Sequence, residues 1–465
     1  MQDNYTVRWP VKRLEELAAS IQYGYTAKAK HARDGPRYLR ITDIQDENVD
    51  WGQVPSCEIG KAELTKYRLY PGDLVFARTG ATVGKSYLIR GVIPQSVFAS
   101  YLIRVQLRDE VEPRYVAYFF RSSSYWRQIS ESQAGIGQPN VNGKKLAQIR
   151  IPVAPLDEQR QIVAEIEKQF SRLDEAVANL KRVKANLKRY KAAVLKAAVE
   201  GRLVPTEAEL ARHEGRGYET GAQLLQRILE TRRGQWKAKG TYKEPIAPEM
   251  TDLPEVPEGW IWASAEQVCD PIASGSTPSP EAMFSQSGDV PFIKVYNLTF
   301  DGSLDFSVKP TFVARYTHEN LLGRSRVIPG DVLTNIVGPP LGKVSIAPSN
   351  YPEWNINQAI VNFRTTHALS SQLLAYWLMS SPILRRLGRT AKATAGQSNL
   401  QVSTCRRMAI PVPPLAEQRR IVAEVDRHLS LVRGVEAEVD DNLKRAERLR
   451  SSVLSSAFAV SNDRT

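Results

Sequence analysis

Ile151 to Leu173 reads IPVAPLDEQRQIVAEIEKQFSRL, and Ile410 to Val432 reads IPVPPLAEQRRIVAEVDRHLSLV. The two segments keep one offset of 259 residues, from 151 to 410 and from 173 to 432. One long interval marks a duplicated unit of domain size, because solenoid arrays repeat every ~20–50 residues. Each copy has the same grammar: a short β-branched run, a proline-rich turn, then a long helix. Apolar residues then recur every seven positions. They are Ile166, Leu173, Leu180, Leu187 and Val194 in the first copy, and Val425, Val432, Val439, Ala446 and Val453 in the second. Sustained sevens predict a left-handed coiled-coil seam, and the natural partner of each seam is the other copy. A helix over 157–200 would span ~65 Å at about 1.5 Å per residue.

Outward from these helices, residues 1–150 and 259–409 read as two mixed α/β heads. In the first, Val11–Ser20 is expected to be a short helix and Tyr38–Ile44 a half-buried strand. Leu74–Ala77 should be a strand after the Pro71-Gly72-Asp73 turn, with another at Tyr101–Leu107 and a helix opening at Pro113. The second head repeats the landmarks. Pro329-Gly330-Asp331 and Gly342-Lys343 match at an offset of 258 (71 to 329, 84 to 342). Gly396-Gln397-Ser398-Asn399 matches Gly137-Gln138-Pro139-Asn140 at 259 (137 to 396). Side chains between landmarks differ strongly, so the landmarks read as scaffold and the rest as two unlike surfaces. The remaining chain is a central long helix (151–204), a connector (205–258) and a C-terminal long helix (410–460). The connector holds an amphipathic helix at Gln223–Arg233 and a semi-rigid tether at Pro245, Pro248, Pro254 and Pro257.

The 465 residues carry 63 Lys and Arg against 50 Asp and Glu, a net charge of +13. An acidic polyelectrolyte partner is expected, nucleic acid first; the plainer alternative is a merely basic protein. Cys57, Cys269 and Cys405 are odd in number and lack metal-ligand spacing, which speaks against disulfides and zinc. No apolar run approaches the ~20 residues that cross a bilayer, and no signal region opens the chain. No membrane role is expected, and the cytoplasm is the expected location. His31, His213, His318, His367 and His428 are scattered and expected at the surface. Asn-Pro-Pro-Tyr, Asp-Pro-Pro-Tyr and Gly-x-Ser-x-Gly are all absent.

GATVGKS (80–86) invites a P-loop reading, but three residues separate its glycines instead of four, and strand-like SYLIRG follows where a helix is needed. A glycine loop joining two strands and displaying Lys85 or Lys343 suits approach to DNA phosphate; the plainer alternative is a hairpin turn. Gln138 with Asn140, and Gln397 with Asn399, could pair with an adenine edge or simply form turns. Arg121, Arg127, Arg385, Arg386 and Arg389 could grip phosphate or coat a solvated helix face.

The phrase I-P-x-x-P-L-x-E-Q-R-x-I-V-A-E occurs twice, and Leu253-Pro-x-x-Pro-Glu-Gly-Trp260 precedes the second head. Together with the duplication, these resemble the specificity (S) subunit of type I restriction-modification systems over essentially the whole chain. The resemblance implies an α+β fold: two target recognition domains joined by a long antiparallel two-helix coiled coil, with pseudo-two-fold internal duplication. It implies a non-catalytic DNA sequence-recognition subunit. Each head would read half of an asymmetric bipartite site in double-stranded DNA. The helices would set the spacer and dock two methyltransferase (M) subunits, with two restriction (R) subunits outside. S-adenosylmethionine would belong to M, and ATP with Mg²⁺ to R; no cofactor is expected in this chain.

Carried over residue by residue, Arg78, Thr79, Gly80, Gly84, Lys85, Gln138 and Asn140 should face DNA in the first head. Gly338, Gly342, Lys343, Gln397 and Asn399 are the matches in the second, where Pro339-Pro340 replaces Ala81-Thr82 and stiffens the loop. Leu156, Glu158, Gln159, Leu415, Glu417 and Gln418 would hold head to helix or M to S, or only pack the helix starts. The rivals are a stand-alone DNA-modifying enzyme with a cryptic site, and a coiled-coil scaffold without a DNA role.

Overall fold

The computed structural model describes residues 9–30, 34–45, 47–79, 83–133, 140–237, 240–251, 253–338, 340–390, 392–394 and 397–458. The chain divides into two compact units, residues 1–182 with 439–465, and residues 183–438.

In the first unit, strand Val11–Arg13 pairs antiparallel with Arg150–Pro152, which stitches the head's two ends together where the long helix begins. A four-stranded antiparallel sheet follows the order Ala18–Tyr23, Leu102–Leu107, Leu74–Ala77, Ser86–Leu88. Gly72 closes the turn into Leu74–Ala77 with φ +96°, a left-handed conformation that glycine adopts without a Cβ penalty. Helix Pro113–Phe119 has the proline in its first turn, and Glu112 caps it by accepting from Arg114 N. The core joins Leu74, Phe76, Ile103 and Val105 of the sheet to Tyr115, Phe119 and Phe120. It also takes in Val163, Ile166 and Phe170 from the start of one long helix, and Leu454 and Phe458 from the end of the other. The Phe458 ring stands edge-on to Tyr115 at 5.1 Å and to Phe119 at 5.5 Å.

The second unit is built on the same plan. Ile261–Ser264 pairs with Ala409–Val412. The four-stranded sheet runs Cys269–Ser274, Ile360–Thr365, Val332–Asn335, Val344–Ile346. Even the register repeats: Leu74 faces Val105, and Val332 faces Phe363, each 258 residues on (74 to 332, 105 to 363). The second head elaborates one feature. The parallel pair Arg37–Leu39 and Ser96–Phe98 of the first head becomes, as Val290–Ile293 and Trp354–Ile356, part of a five-stranded sheet. Val194, Leu195, Ala198 and Val199 enter this unit's core from the end of the first long helix. They are the counterparts, at 259, of Val453, Leu454, Ala457 and Phe458 (195 to 454, 199 to 458). Leu224, Leu225 and Ile228 of helix Gly221–Gly234 join the same core.

The two long helices are Leu156–Val199, of 44 residues, and Leu415–Ala457, of 43. They run antiparallel. In the first unit Asp174 and Phe170 meet Arg450, while the earlier Ile162 and Ile166 share a groove with the later Val453 and Ala457. In the second unit Lys191 Nζ lies 2.7 Å from Glu436, and Tyr190 Oη lies 2.6 Å from His428 Nδ1. Of the residues spaced seven apart, Ile166, Val194, Val425, Val432, Val439 and Ala446 are buried, the first three within the cores of the heads; Leu173, Leu180, Leu187 and Val453 are half-buried. A two-helix seam covers one stripe only, so leucines far from the heads keep part of their surface in water.

Three local expectations are corrected. Val11–Ser20 is not one helix: four helical residues, Leu14–Leu17, lie between the strands Val11–Arg13 and Ala18–Tyr23. Sheet pairing takes up the flanking backbone, and long-range pairing overrides a local helical pattern. The Tyr38 strand ends at Leu39, because Arg40 N donates to Asp43 Oδ2 at 2.8 Å and closes a 3-10 turn. His318 is fully buried, with Nδ1 2.8 Å from Asn355 Oδ1 and Nε2 3.2 Å from Glu353; His31 lies outside the described residues. Among the described residues, no helix is long and apolar enough to cross a membrane.

Candidate nucleic-acid interface

The strands Leu74–Ala77 and Ser86–Leu88 form an antiparallel hairpin, so the loop between them runs strand to strand and not into a helix. Gly84 sits in its turn at φ +85°, and a Cβ there would lie 3.1 Å from Ile129 and 3.2 Å from Trp126. Tyr125 Oη also donates to Gly84 O at 2.6 Å. Gly342 repeats the arrangement at φ +96°, with a Cβ position 2.7 Å from Leu384. These two glycines therefore let the turn lie flat against a helix, Ser123–Gln133 in one head and Ser381–Thr390 in the other.

The second landmark loop folds back onto the first. Thr79 bridges Asn140, and Val141 N donates to Arg78 O at 3.0 Å. In the second head Val337–Gly338 pairs with Gln397–Asn399, and Leu400 N donates to Ile336 O at 2.9 Å. The bonds correspond residue for residue (78 to 336, 141 to 400). Two loops far apart in sequence thus make one ridge, and the chain makes it twice. Asn140 is half-buried, and its Oδ1 has no hydrogen-bond partner among the described residues. Gly80 and Gln138 lie outside the described residues. The two lysines differ. Lys85 is exposed, whereas Lys343 Nζ donates to Val295 O at 3.1 Å and lies 5.8 Å from the Phe300 ring. Asn335 braces the second loop, accepting from Lys343 N at 2.9 Å and donating to Val337 O at 3.0 Å and Pro340 O at 2.9 Å.

Two aromatic residues beside the first ridge escaped the sequence reading. Tyr23 is 41% exposed and its ring lies 4.9 Å from the Arg78 guanidinium. Tyr101 is 65% exposed, and its carbonyl accepts from Arg78 N at 3.1 Å. Their positional counterparts are Ser274 and Ala359, set by the pairing of Tyr23 with Ile103 and Ser274 with Val361, and by the bond from Ile336 N to Ala359 O. Comparing the copies finds what they share and passes over what they do not. Arg121, expected to grip phosphate or coat a helix face, is tied down within its unit: it pairs with Glu47 at 2.8 Å and stacks on Tyr118 and Phe170. Arg127 and Arg385 are exposed.

The helix-start residues join head to helix. Gln159 Oε1 accepts from Glu112 N at 2.9 Å, and its Nε2 donates to Ala154 O at 2.8 Å. Gln418 Oε1 accepts from Ser370 N at 3.1 Å, and its Nε2 donates to Ala368 O at 2.6 Å and Pro413 O at 3.0 Å. Trp9 Nε1 donates to Glu158 at 3.2 Å, and Trp260 Nε1 to Glu417 at 2.8 Å. Glu417 takes a further bond from Glu207 N at 2.8 Å. Burial pushes the Glu417 carboxyl above the usual carboxylate range, against the pull of those two donors. Leu156 and Leu415 are half-buried, and Leu415 packs on the second core. Gln159, Glu417 and Gln418 are buried, with their polar atoms turned to groups of this chain. A tryptophan near the start of each copy was the signal for the tryptophan–glutamate half of this joint.

The chain is thus a duplicated α+β head, each copy carrying a paired-loop ridge and joined to a long helix. The sequence model of the type I restriction modification DNA specificity domain matches residues 6–189 and again 257–441. The chain belongs to that family. It is 22% identical over 464 residues to the putative type I restriction enzyme MjaX specificity subunit of Methanocaldococcus jannaschii, covering 97% of this chain and 94% of that one. It is also 22% identical to the type I restriction enzyme EcoBI specificity subunit of Escherichia coli, covering 95% and 84%. Among solved structures, the fold matches a chain from work on complex assembly and conformational transition of the type I R-M system, with a TM-score of 0.64 at 20% identity over 97% of both chains. The HsdS subunit from Thermoanaerobacter tengcongensis gives 0.56 at 19% identity over 98% of both.

Proposed function

We propose that this chain is the DNA-reading subunit of a type I restriction-modification complex and catalyses nothing itself. The observation that carries this is the ridge. One backbone pairing, Thr79 with Asn140 and Val337 with Asn399, recurs in two heads whose surrounding side chains differ. Equal frames with unlike side chains suit an unlike-halved target. Landmarks held in common suit the DNA backbone, which is chemically the same at every site. The helix pair supports a role in fixing the spacer between half-sites. Two M subunits, bringing S-adenosylmethionine, and two R subunits, bringing ATP and Mg²⁺, complete the complex in this account, which acts on DNA in the cytoplasm.

Single-molecule methylation sequencing of the native genome tests the function. A bipartite methylated motif that disappears when this gene is deleted is the expected result; unchanged methylation sinks it. If the purified chain alone methylates or cuts DNA with S-adenosylmethionine or Mg²⁺, the stand-alone enzyme replaces this account. If no duplex is bound even with M subunits present, the scaffold does.

A further inference from the structure

Four arginines of the two heads are each held by an acid. Arg40 pairs with Asp43, Arg104 with Asp73, Arg121 with Glu47 and Arg364 with Asp331. Among the described residues no carboxylate pairs with Arg78, and its buried Nε, like that of Arg104, has no hydrogen-bond partner. Its guanidinium rests instead on the Tyr23 ring, and that ring is fixed in turn, because Tyr23 Oη accepts from Gly143 N at 2.7 Å. The backbone of Arg78 is held by both loops of the ridge, through its N to Tyr101 O and its O from Val141 N. A cation thus lies over an aromatic ring at the ridge, without a neutralising partner among the described residues.

The internal repeat decides what the missing partner is. A group that holds phosphate has the same task in both heads and is expected to be a cation in both. At the equivalent position the second head has Ile336, buried and apolar. The frame does not need a cation there, so the charge at Arg78 belongs to something peculiar to the first half-site. A planar fork resting on an aromatic ring matches two acceptors in one plane better than it matches a freely rotating phosphate. Guanine O6 and N7 are that pair in the major groove.

Resting on the DNA-reading function above, we infer that Arg78 is a specificity-determining residue: it reads a guanine in the half-site of the first head, with Tyr23 as the positioning residue that sets its plane. Tyr23→Ala should weaken guanine selection; Tyr23→Phe, which keeps the ring but loses the bond from Gly143 N, should weaken it less.

The test uses the complex reconstituted with its methyltransferase subunits, on duplexes carrying the motif found by methylation sequencing. Arg78→Lys keeps the charge and loses the fork; Arg78→Ile copies the second head. Both should lose about 10- to 100-fold of the preference for one guanine in one half-site, while selection in the other half-site, an internal control for folding, stays intact. Replacing that guanine by 7-deazaguanine should weaken the wild type and leave Arg78→Lys without further loss. Unchanged guanine selection in both variants overturns the assignment. So does an equal loss on all sequences, which identifies a phosphate contact. Either result leaves the DNA-reading function standing; the absence of any motif dependent on this chain removes that function and this assignment together.

Discussion

Lys85 and Lys343 occupy one place in two copies of one hairpin, yet only Lys85 is exposed; Lys343 donates to a backbone carbonyl of its own head. Lys85→Ala should therefore weaken binding across sequences and reduce the slope of log K against log salt by about 1, as for a phosphate contact. Lys343→Ala should change that slope less, and equal changes would show that the bond to Val295 opens on DNA. Gly84→Ala carries a different expectation. The left-handed φ and the close approach of Ile129 and Trp126 make a side chain strained there, at a cost of about 1–3 kcal/mol in urea unfolding. At this scale the sequence showed the glycines, because both copies need them. It did not show Tyr23 or Tyr101, because nothing in a single position says that a strand and a loop about 80 residues apart will flank one arginine.

At the scale of elements, each head is locked to a helix by a buried glutamine that serves both the backbone of its own turn and that of the head. Gln159→Ala and Gln418→Ala each strand buried backbone groups and should cost about 1–3 kcal/mol, read as a lower urea midpoint with m unchanged. Phe458→Ala removes a buried ring from between Tyr115 and Phe119 and should cost about 3–5 kcal/mol. A cost under ~1 kcal/mol would mean that the end of the second long helix is not part of the first core. The helices themselves were legible, since a seven-residue period names its own structure. The short elements were not. Leu14–Leu17 and Arg37–Leu39 take their form from strands far away in sequence, and local pattern carries no record of that pairing.

At the scale of the whole molecule, removing seven residues from one long helix keeps the seam in phase and shortens that helix by ~10 Å. The methylated motif should then show a changed spacer, or the complex should fail to assemble. An assembled complex with the original spacer would end the idea that the helices measure it.

The sequence alone determined the duplication, the long helices and their pairing, because similar segments at one offset and apolar sevens are properties of order along the chain. It also marked the loops. Only the tertiary structure decided that the two marked loops of each head become one ridge, that Gln159, Glu417 and Gln418 face inward, and that Arg78 stands on an aromatic ring. Those outcomes depend on which surfaces meet. Meeting is set by sheet register and burial over the whole head, and no local spacing encodes it.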